Sequence, residues 1–195
     1  MAVKLTDAEF FRLFFTVEHS ARRLENRSRY DVEEETPDRE AFLSGQQPPD
    51  RPARFTEWDQ NVQAKTAAGA RFERVRVMNE PLTPYNRFMI WGNAQNARNG
   101  EDIRYLARGR ANELDLPDHD FWVFDSSRLL LMPHTADDRL LETQLITDPE
   151  MIAWHEAWID LALTHATPWK DYVAEDPTRA EPPIRLRPEV TTGGQ

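Results

Sequence analysis

Apolar and polar positions are most ordered between Leu116 and Met132. Phe121, Trp122, Val123 and Phe124 form an unbroken aromatic and β-branched run, Asp125-Ser126-Ser127 interrupts it, and Leu129 to Met132 repeats it. A run apolar at every position is what a strand covered on both faces shows, so this stretch predicts a hairpin within a central sheet. Upstream, Arg71 to Met78 alternates as a strand, Leu82 to Ala97 reads as a helix entered through Pro81 and Pro84 and stopped by Gly100, and Asp102 to Ala107 reads as a second strand. Strand, helix and strand of these lengths predict a right-handed parallel crossover. Leu140 to Thr147 predicts another strand. Asp148 and Pro149 then open a last helix, as N-cap and first helical residue, with a broad apolar face from Met151 to His165.

The first third reads as mainly helical. Thr6 and Glu9 make a capping box for a helix over about 7–18, with Phe10, Leu13, Phe14 and Val17 at helical spacing. Residues 20–30 lose that period and read as extended. Thr36-Pro37-Asp38 starts a short helix ended by Gly45, the three-proline stretch Gln46 to Arg54 reads as a loop, and Thr56 caps a helix terminated by Gly69. Past Tyr172 periodicity ends, and 173–195 reads as a flexible tail.

The expected fold is therefore one α/β domain over 1–172, with a mainly helical part (1–69) and a sheet core (70–172). Its mixed central sheet takes 71–78, 102–107, 121–125, 128–132 and 140–147, flanked by helices at 82–98 and 149–166. Phe121, Val123, Val75, Val77, Ile103, Leu130, Trp154 and Trp158 are its expected buried residues.

Composition narrows the function classes. A chain of 195 residues suits one sizeable core. It has no Cys, which excludes disulfides, thiolate metal sites and thiol nucleophiles and suits a reducing compartment. The start lacks a basic segment followed by an apolar one, and no apolar run is long enough to span a bilayer, so a cytoplasmic protein without a membrane partner is expected. The net charge of −10 argues against holding a phosphate backbone, although 71–110 carries eight Arg against four acidic residues and the remainder is correspondingly more acidic.

Candidate chemistry is sparse. The five His residues share no metal-ligand spacing, and no metal or cofactor is expected. Asp120 and Asp125 bracket the aromatic strand, but period-two geometry sends them to opposite faces, which leaves Asp120 as a partner for a buried Arg and Asp125 as a turn residue. No glycine-rich phosphate loop, dinucleotide fingerprint or nucleophile elbow occurs. Glu80, Tyr85 and Arg87 follow the carboxyl end of the first crossover strand, where open α/β sheets place ligand crevices. With Asn93 and Asn96 on the following helix, Arg104, Asp120 and Trp122, they form the candidate ligand- or partner-binding set.

Three stretches carry a resemblance: Arg23-Leu24-Glu25 with Tyr30; Val75 to Leu82 with Tyr85 and Arg87; and Leu116-Pro117 leading to Asp120-Phe121-Trp122-Val123-Phe124-Asp125. Together they resemble an actinobacterial family defined only as a domain of unknown function, over nearly the whole chain to about Tyr172. The resemblance implies a genomic setting beside helix-turn-helix regulators. The second half also resembles the phospholipase-D-like fold, ending in Ala166-Thr167-Pro168. That superfamily's His-x-Lys motif with a later Asp would fall on 119–126, where His119 is followed by Phe121 and Ser126 stands in place of the Asp. The resemblance thus implies the fold without its catalytic motif.

Two functional readings follow. The first is a noncatalytic binding or regulatory module whose partner is a protein, a DNA-binding regulator above all, contacted through the acidic run Asp31 to Glu35. Direct DNA contact through Arg71, Arg74 and Arg76 is its lesser variant. The alternative is a hydrolase or lyase acting on a phosphorylated or nucleotide-like small molecule near Glu80, Tyr85, Arg87, Asn93 and Arg104, with Glu80 as general base.

Overall fold

The computed structural model describes residues 2–30, 32–46 and 53–183. In chain order its elements are β1 (Ala2–Lys4), α1 (Asp7–Phe15), β2 (Ser20–Glu25), α2 (Thr36–Leu43), α3 (Ala53–Ala67), β3 (Arg71–Met78), α4 (Pro84–Arg98), β4 (Asp102–Ala107), α5 (Arg108–Glu113), β5 (Asp120–Phe124), β6 (Arg128–Met132), β7 (Gln144–Ile146), α6 (Pro149–His165), β8 (Thr167–Pro168) and α7 (Trp169–Glu175). Short 3-10 turns lie at Glu33–Glu35 and Pro177–Ala180.

The strands form one eight-stranded mixed sheet in the order β1-β7-β6-β5-β2-β3-β4-β8. β3 and β4 are neighbouring parallel strands joined through α4, as the crossover pattern predicts. β5 and β6 are the predicted hairpin, with Phe124 paired to Arg128 across a turn whose Asp125 and Ser126 take positive φ. Two successive left-handed residues give the turn a twist that matches the strands it joins.

The main departure lies at the centre. β2 is inserted between β3, to which it runs parallel, and β5, to which it runs antiparallel. Its sequence, Ser-Ala-Arg-Arg-Leu-Glu, carries too much charge to read as an interior strand, yet five of its six residues are buried. The charges are matched internally: Arg22 pairs with Glu73 at 2.6 Å and with Asp160 at 2.5 Å on one face, while Arg23 and Glu25 join a network on the other.

α6 covers one face, packing Ile152, Ile159 and Ala162 onto Leu24, Val75, Val77, Leu106, Phe121, Val123 and Leu129. The other face is covered in two apolar sections. Leu13, Phe14, Val17 and Val62 from α1, the residues after it and α3 sit on Phe72, Trp122, Phe124 and Leu130, and Ile90 and Tyr172 sit with Met78, Ile103 and Tyr105.

Several expected boundaries move. α1 ends at Phe15, α3 begins at Ala53 rather than Thr56, and the strand expected over 140–147 is confined to β7, with Leu140 in a single bridge to His134. Trp154, expected in the core, is 55% exposed, and Trp158 is half-buried against His119 and His155. The reason is geometric: α6 is apolar nearly all round, and a helix lying on a sheet buries one stripe, here Ile152, His155, Ile159 and Ala162. Beyond Tyr172 the chain continues through α7 and the Pro177–Ala180 turn, where Arg179 lies 4.0 Å from the Tyr172 ring centre. Residues 47–52 of the expected loop and 184–195 of the expected tail lie outside the described residues. No described helix is long and apolar enough to cross a membrane.

Candidate functional site

The parallel register of β2 and β3 places Arg23 beside Arg74 and Glu25 beside Arg76. Because side chains alternate along a strand, all four project from the same face. Tyr105 pairs with Arg76 from the next strand, and Trp122 pairs with Arg23 from β5, two residues after Asp120. The result is a charged belt between the two apolar sections of that face. Tyr30, from the segment after β2, and Tyr85 and Asn93, from α4, close over it. Thr83 anchors that end of α4, accepting the Asn86 amide at 3.1 Å while the Asn86 carboxamide accepts from the Thr83 amide at 3.2 Å.

Glu25 is the hub. Its carboxylate lies 3.1 Å from Arg76 Nη1, 3.5 Å from Arg74 Nη1 and 3.6 Å from Arg23 Nη1. Burial alone would raise its pKa, but the three guanidinium groups overcome that and hold it at about 2. Arg74 also pairs with Glu101 at 2.8 Å and donates to Asn93 Oδ1 at 3.2 Å, and Asn93 in turn donates to the Tyr105 hydroxyl at 2.9 Å. Asp120 accepts from the Tyr30 hydroxyl and, at 2.7 Å, from the Asn26 amide, with Arg23 Nη2 at 3.6 Å.

Aromatic faces also flank the two central arginines. Arg76 lies 5.1 Å from the Tyr30 ring centre and 5.8 Å from that of Tyr85; Arg23 lies 5.3 Å from Trp122 and 5.4 Å from Tyr30. Arg76 is 1% exposed, and neither its Nε nor its Nη2 meets an acceptor among the described residues; the same holds for Arg23 Nε. Burial raises the pKa of Tyr85 to about 12 and also raises those of Tyr30 and Tyr105 well above the usual phenol range, so all three hydroxyls stay protonated. Burial likewise raises Glu35, which approaches the Tyr85 hydroxyl at 3.5 Å.

Above the belt is a cavity of about 250 Å³. Arg23, Glu25, Arg74, Tyr30, Tyr85 and Glu35 form its polar wall, His134 and Asp138 border it, and Phe10, Val32, Met89, Met132 and Leu140 form an apolar wall. It offers guanidinium N–H groups and aromatic faces, with no Ser, Thr or Cys among its lining residues to act as a nucleophile. Among the described residues no group of three or more His, Asp or Glu side chains is placed to hold a metal.

The structure distributes the expected site residues unevenly. Tyr85, Asn93, Asp120 and Trp122 meet at the belt, and Asn96 joins them by donating to Asn93 at 3.3 Å. Glu80 is exposed and borders a separate cavity of about 240 Å³ with Arg110, His165 and Glu175. Arg87 donates to the Thr178 carbonyl. Arg104 is on the α6 side of the sheet, paired with Asp102 at 2.7 Å and donating to the Leu163 carbonyl at 3.0 Å. Glu80, Tyr85, Arg87, Asn93 and Arg104 therefore do not share a cavity.

Nor does the arginine-rich segment make one surface. Arg74 and Arg76 are buried, which leaves only Arg71 of the three proposed DNA contacts exposed. The acidic run is split as well: Glu33 and Glu34 are exposed, Glu35 turns inward to the cavity, and Asp31 lies outside the described residues. Missing from the expected set are Arg23, Glu25, Tyr30, Arg74 and Arg76. A signal was present, since Arg23, Glu25, Tyr30, Arg76, Tyr85, Asp120 and Trp122 all belong to the three stretches that carry the family resemblance, and those stretches converge here.

The mixed α/β sheet with this hairpin and terminal helix is similar in fold to a phospholipase D family member. The phospholipase D family member Nuc from Salmonella typhimurium has this fold, with a TM-score of 0.50 at 11% identity over 86% of this chain and 95% of its own. The archaeal chromatin protein TrmBL2, whose structure shows a mode of DNA binding, aligns with a TM-score of 0.43 at 11% identity over 85% of this chain and 52% of its own. The chain thus spans about half the length of TrmBL2. No curated protein matches the sequence. The model of a domain of unknown function, DUF6879, matches residues 8–174, and the chain belongs to that family.

Proposed function

We propose that this domain is a noncatalytic binding module that regulates a protein partner, a helix-turn-helix DNA-binding regulator being the class the family resemblance implies. The observation that carries this reading is that the acid and base groups along β5 and its turn are already engaged in the fold. His119 Nε2 lies 3.1 Å from His155 Nε2, and His155 Nδ1 lies 2.7 Å from the Met151 carbonyl. A carbonyl only accepts, so His155 Nδ1 carries a proton and, with both rings neutral, His119 Nε2 donates to His155 Nε2. Phe121, where the catalytic lysine of the fold would stand, is fully buried under α6. The Asp125 carboxylate accepts from the amides of Glu18, His19 and Ser20 at 3.1, 2.7 and 2.9 Å and pairs with Arg128 at 2.9 Å. Ser126 donates to Glu156 at 2.6 Å. General acid–base catalysis needs a group aimed at substrate, and these are aimed at one another.

For recognition, α6 exposes Trp154 and Leu161, and the acidic surface complements a basic DNA-binding face. Two measurements test the reading. The chain is co-expressed with helix-turn-helix regulators of the class the resemblance implies and sized by light scattering, and it is assayed alone against a phosphodiester panel. A defined complex that alters the regulator's DNA affinity, with no turnover, is expected. Turnover abolished by His119→Ala, or the absence of any complex at low and moderate salt, overturns it.

A further inference from the structure

We propose that the cavity over β2 and β3 binds a small molecule bearing an oxyanion, carboxylate or phosphate, attached to an apolar group. The first reason is a surplus of buried donors. Arg23, Arg74 and Arg76 bring five N–H groups each, whereas Glu25, the carboxylate they share, has about four acceptor sites. The other nearby acids are engaged or held toward the neutral form: Glu101 takes Arg74 at 2.8 Å and Trp58 Nε1 at 3.2 Å, Asp120 takes Tyr30 and Asn26, Asp138 pairs with Arg27, and burial raises the pKa of Glu35. Arg23, which lines the cavity, reaches its acids only at 3.6 Å, longer than a hydrogen bond. Buried polar groups are almost always paired, so donors left without an acceptor beside a cavity mark the place a ligand oxygen fills.

The second reason is the shape of the remaining wall. Phe10, Val32, Met89, Met132 and Leu140 face the charged side, which suits a molecule with one anionic end and one apolar end. A cationic ligand is disfavoured because Glu25 and Asp138 are held by guanidinium groups and burial raises the pKa of Glu35, which works against its charged form. The site is small: at about 250 Å³ it falls just below the range of ligand pockets, which starts at roughly 300 Å³, and so suits a ligand no larger than a single ring with its anionic group. The inference is independent of the partner reading and is tested without any partner.

The experiment follows the arginine Nε–H resonances of the full chain by ¹H–¹⁵N NMR, with Arg23→Lys used for assignment. Inorganic phosphate, benzoate and phenyl phosphate are titrated in turn, with benzamide and benzylamine as neutral and cationic analogues. The expected result is a saturable shift of the resonances of Arg23 and Arg74, the two arginines that line the cavity, by the anions, larger with the phenyl group attached and absent with the two controls. Arg23→Met should weaken anion binding by about tenfold to a hundredfold, while Arg71→Met on the surface leaves it unchanged. If Arg23→Met does not fold, the wild-type shifts decide alone. Shifts confined to surface arginines or no shift with any anion would mean that the cavity holds only water, equal shifts with benzamide would mean that it does not select an anion, and each overturns the proposal.

Discussion

Replacing Glu25 by Gln is the sharpest perturbation of this fold. The side chain is 3% exposed and touches three guanidinium groups, so the variant keeps the shape while leaving buried cations without their shared counter-charge. Removing one partner of a buried ion pair costs about 3–5 kcal/mol. A second route gives a similar figure. A carboxyl held at about 2 against a reference of 4.5 corresponds to roughly 3 kcal/mol, at about 1.4 kcal/mol per pH unit. The sign is that of a depressed acid: the contribution is present above pH 4.5 and is lost as the pH falls toward 2. At about 2–4 °C per kcal/mol for a chain of this size, Glu25→Gln should lower Tm by about 6–20 °C at neutral pH. Urea denaturation of both proteins from neutral pH downward is the assay, and the gap between them should begin to narrow below pH 4.5, where only the wild type has a carboxylate here to lose. A variant within about 1 kcal/mol of wild type at neutral pH, or a gap constant across the acid range, refutes the hub role of Glu25.

The His119–His155 pair should make stability fall in mild acid. Burial depresses both pKa values, against the pull of Asp118 and Asp120 on His119, so the unfolded chain takes up protons first and stability drops as the pH falls below 6.5. His155→Gln should flatten that slope in urea titrations between about pH 7.5 and about pH 5. Asp148→Ala removes the cap that accepts from the Glu150 and Met151 amides at 3.1 and 3.0 Å, and should cost about 1 kcal/mol by the same assay. Trp154→Gln should change the stability of the isolated chain by no more than about 0.5 kcal/mol while weakening capture of the proposed protein partner; a loss of stability of several kcal/mol would show that Trp154 packs in the core.

Local patterns in the sequence determined much of this protein: the β5–β6 hairpin, the parallel β3–α4–β4 unit, the capping box of α1, and α6 behind Asp148-Pro149. Each depends on residues within a turn or two of one another, and hydrophobic period and cap chemistry act over that range. Period two also assigns Arg74 and Arg76, and likewise Arg23 and Glu25, to a common face of their strands. What covers that face is not a local property. Ser20–Glu25 is the central strand only because Glu73, Asp160, Arg74 and Arg76, all distant in sequence, supply counter-charges for its ions. Arg76 is buried only because Tyr30 and Tyr85 meet over it from opposite directions along the chain. The exposure of Trp154 has the same origin, since which stripe of an apolar helix is buried depends on the surface it rests on. Charge on a strand marks a wet face until another element closes over it, and only the tertiary structure decides whether one does.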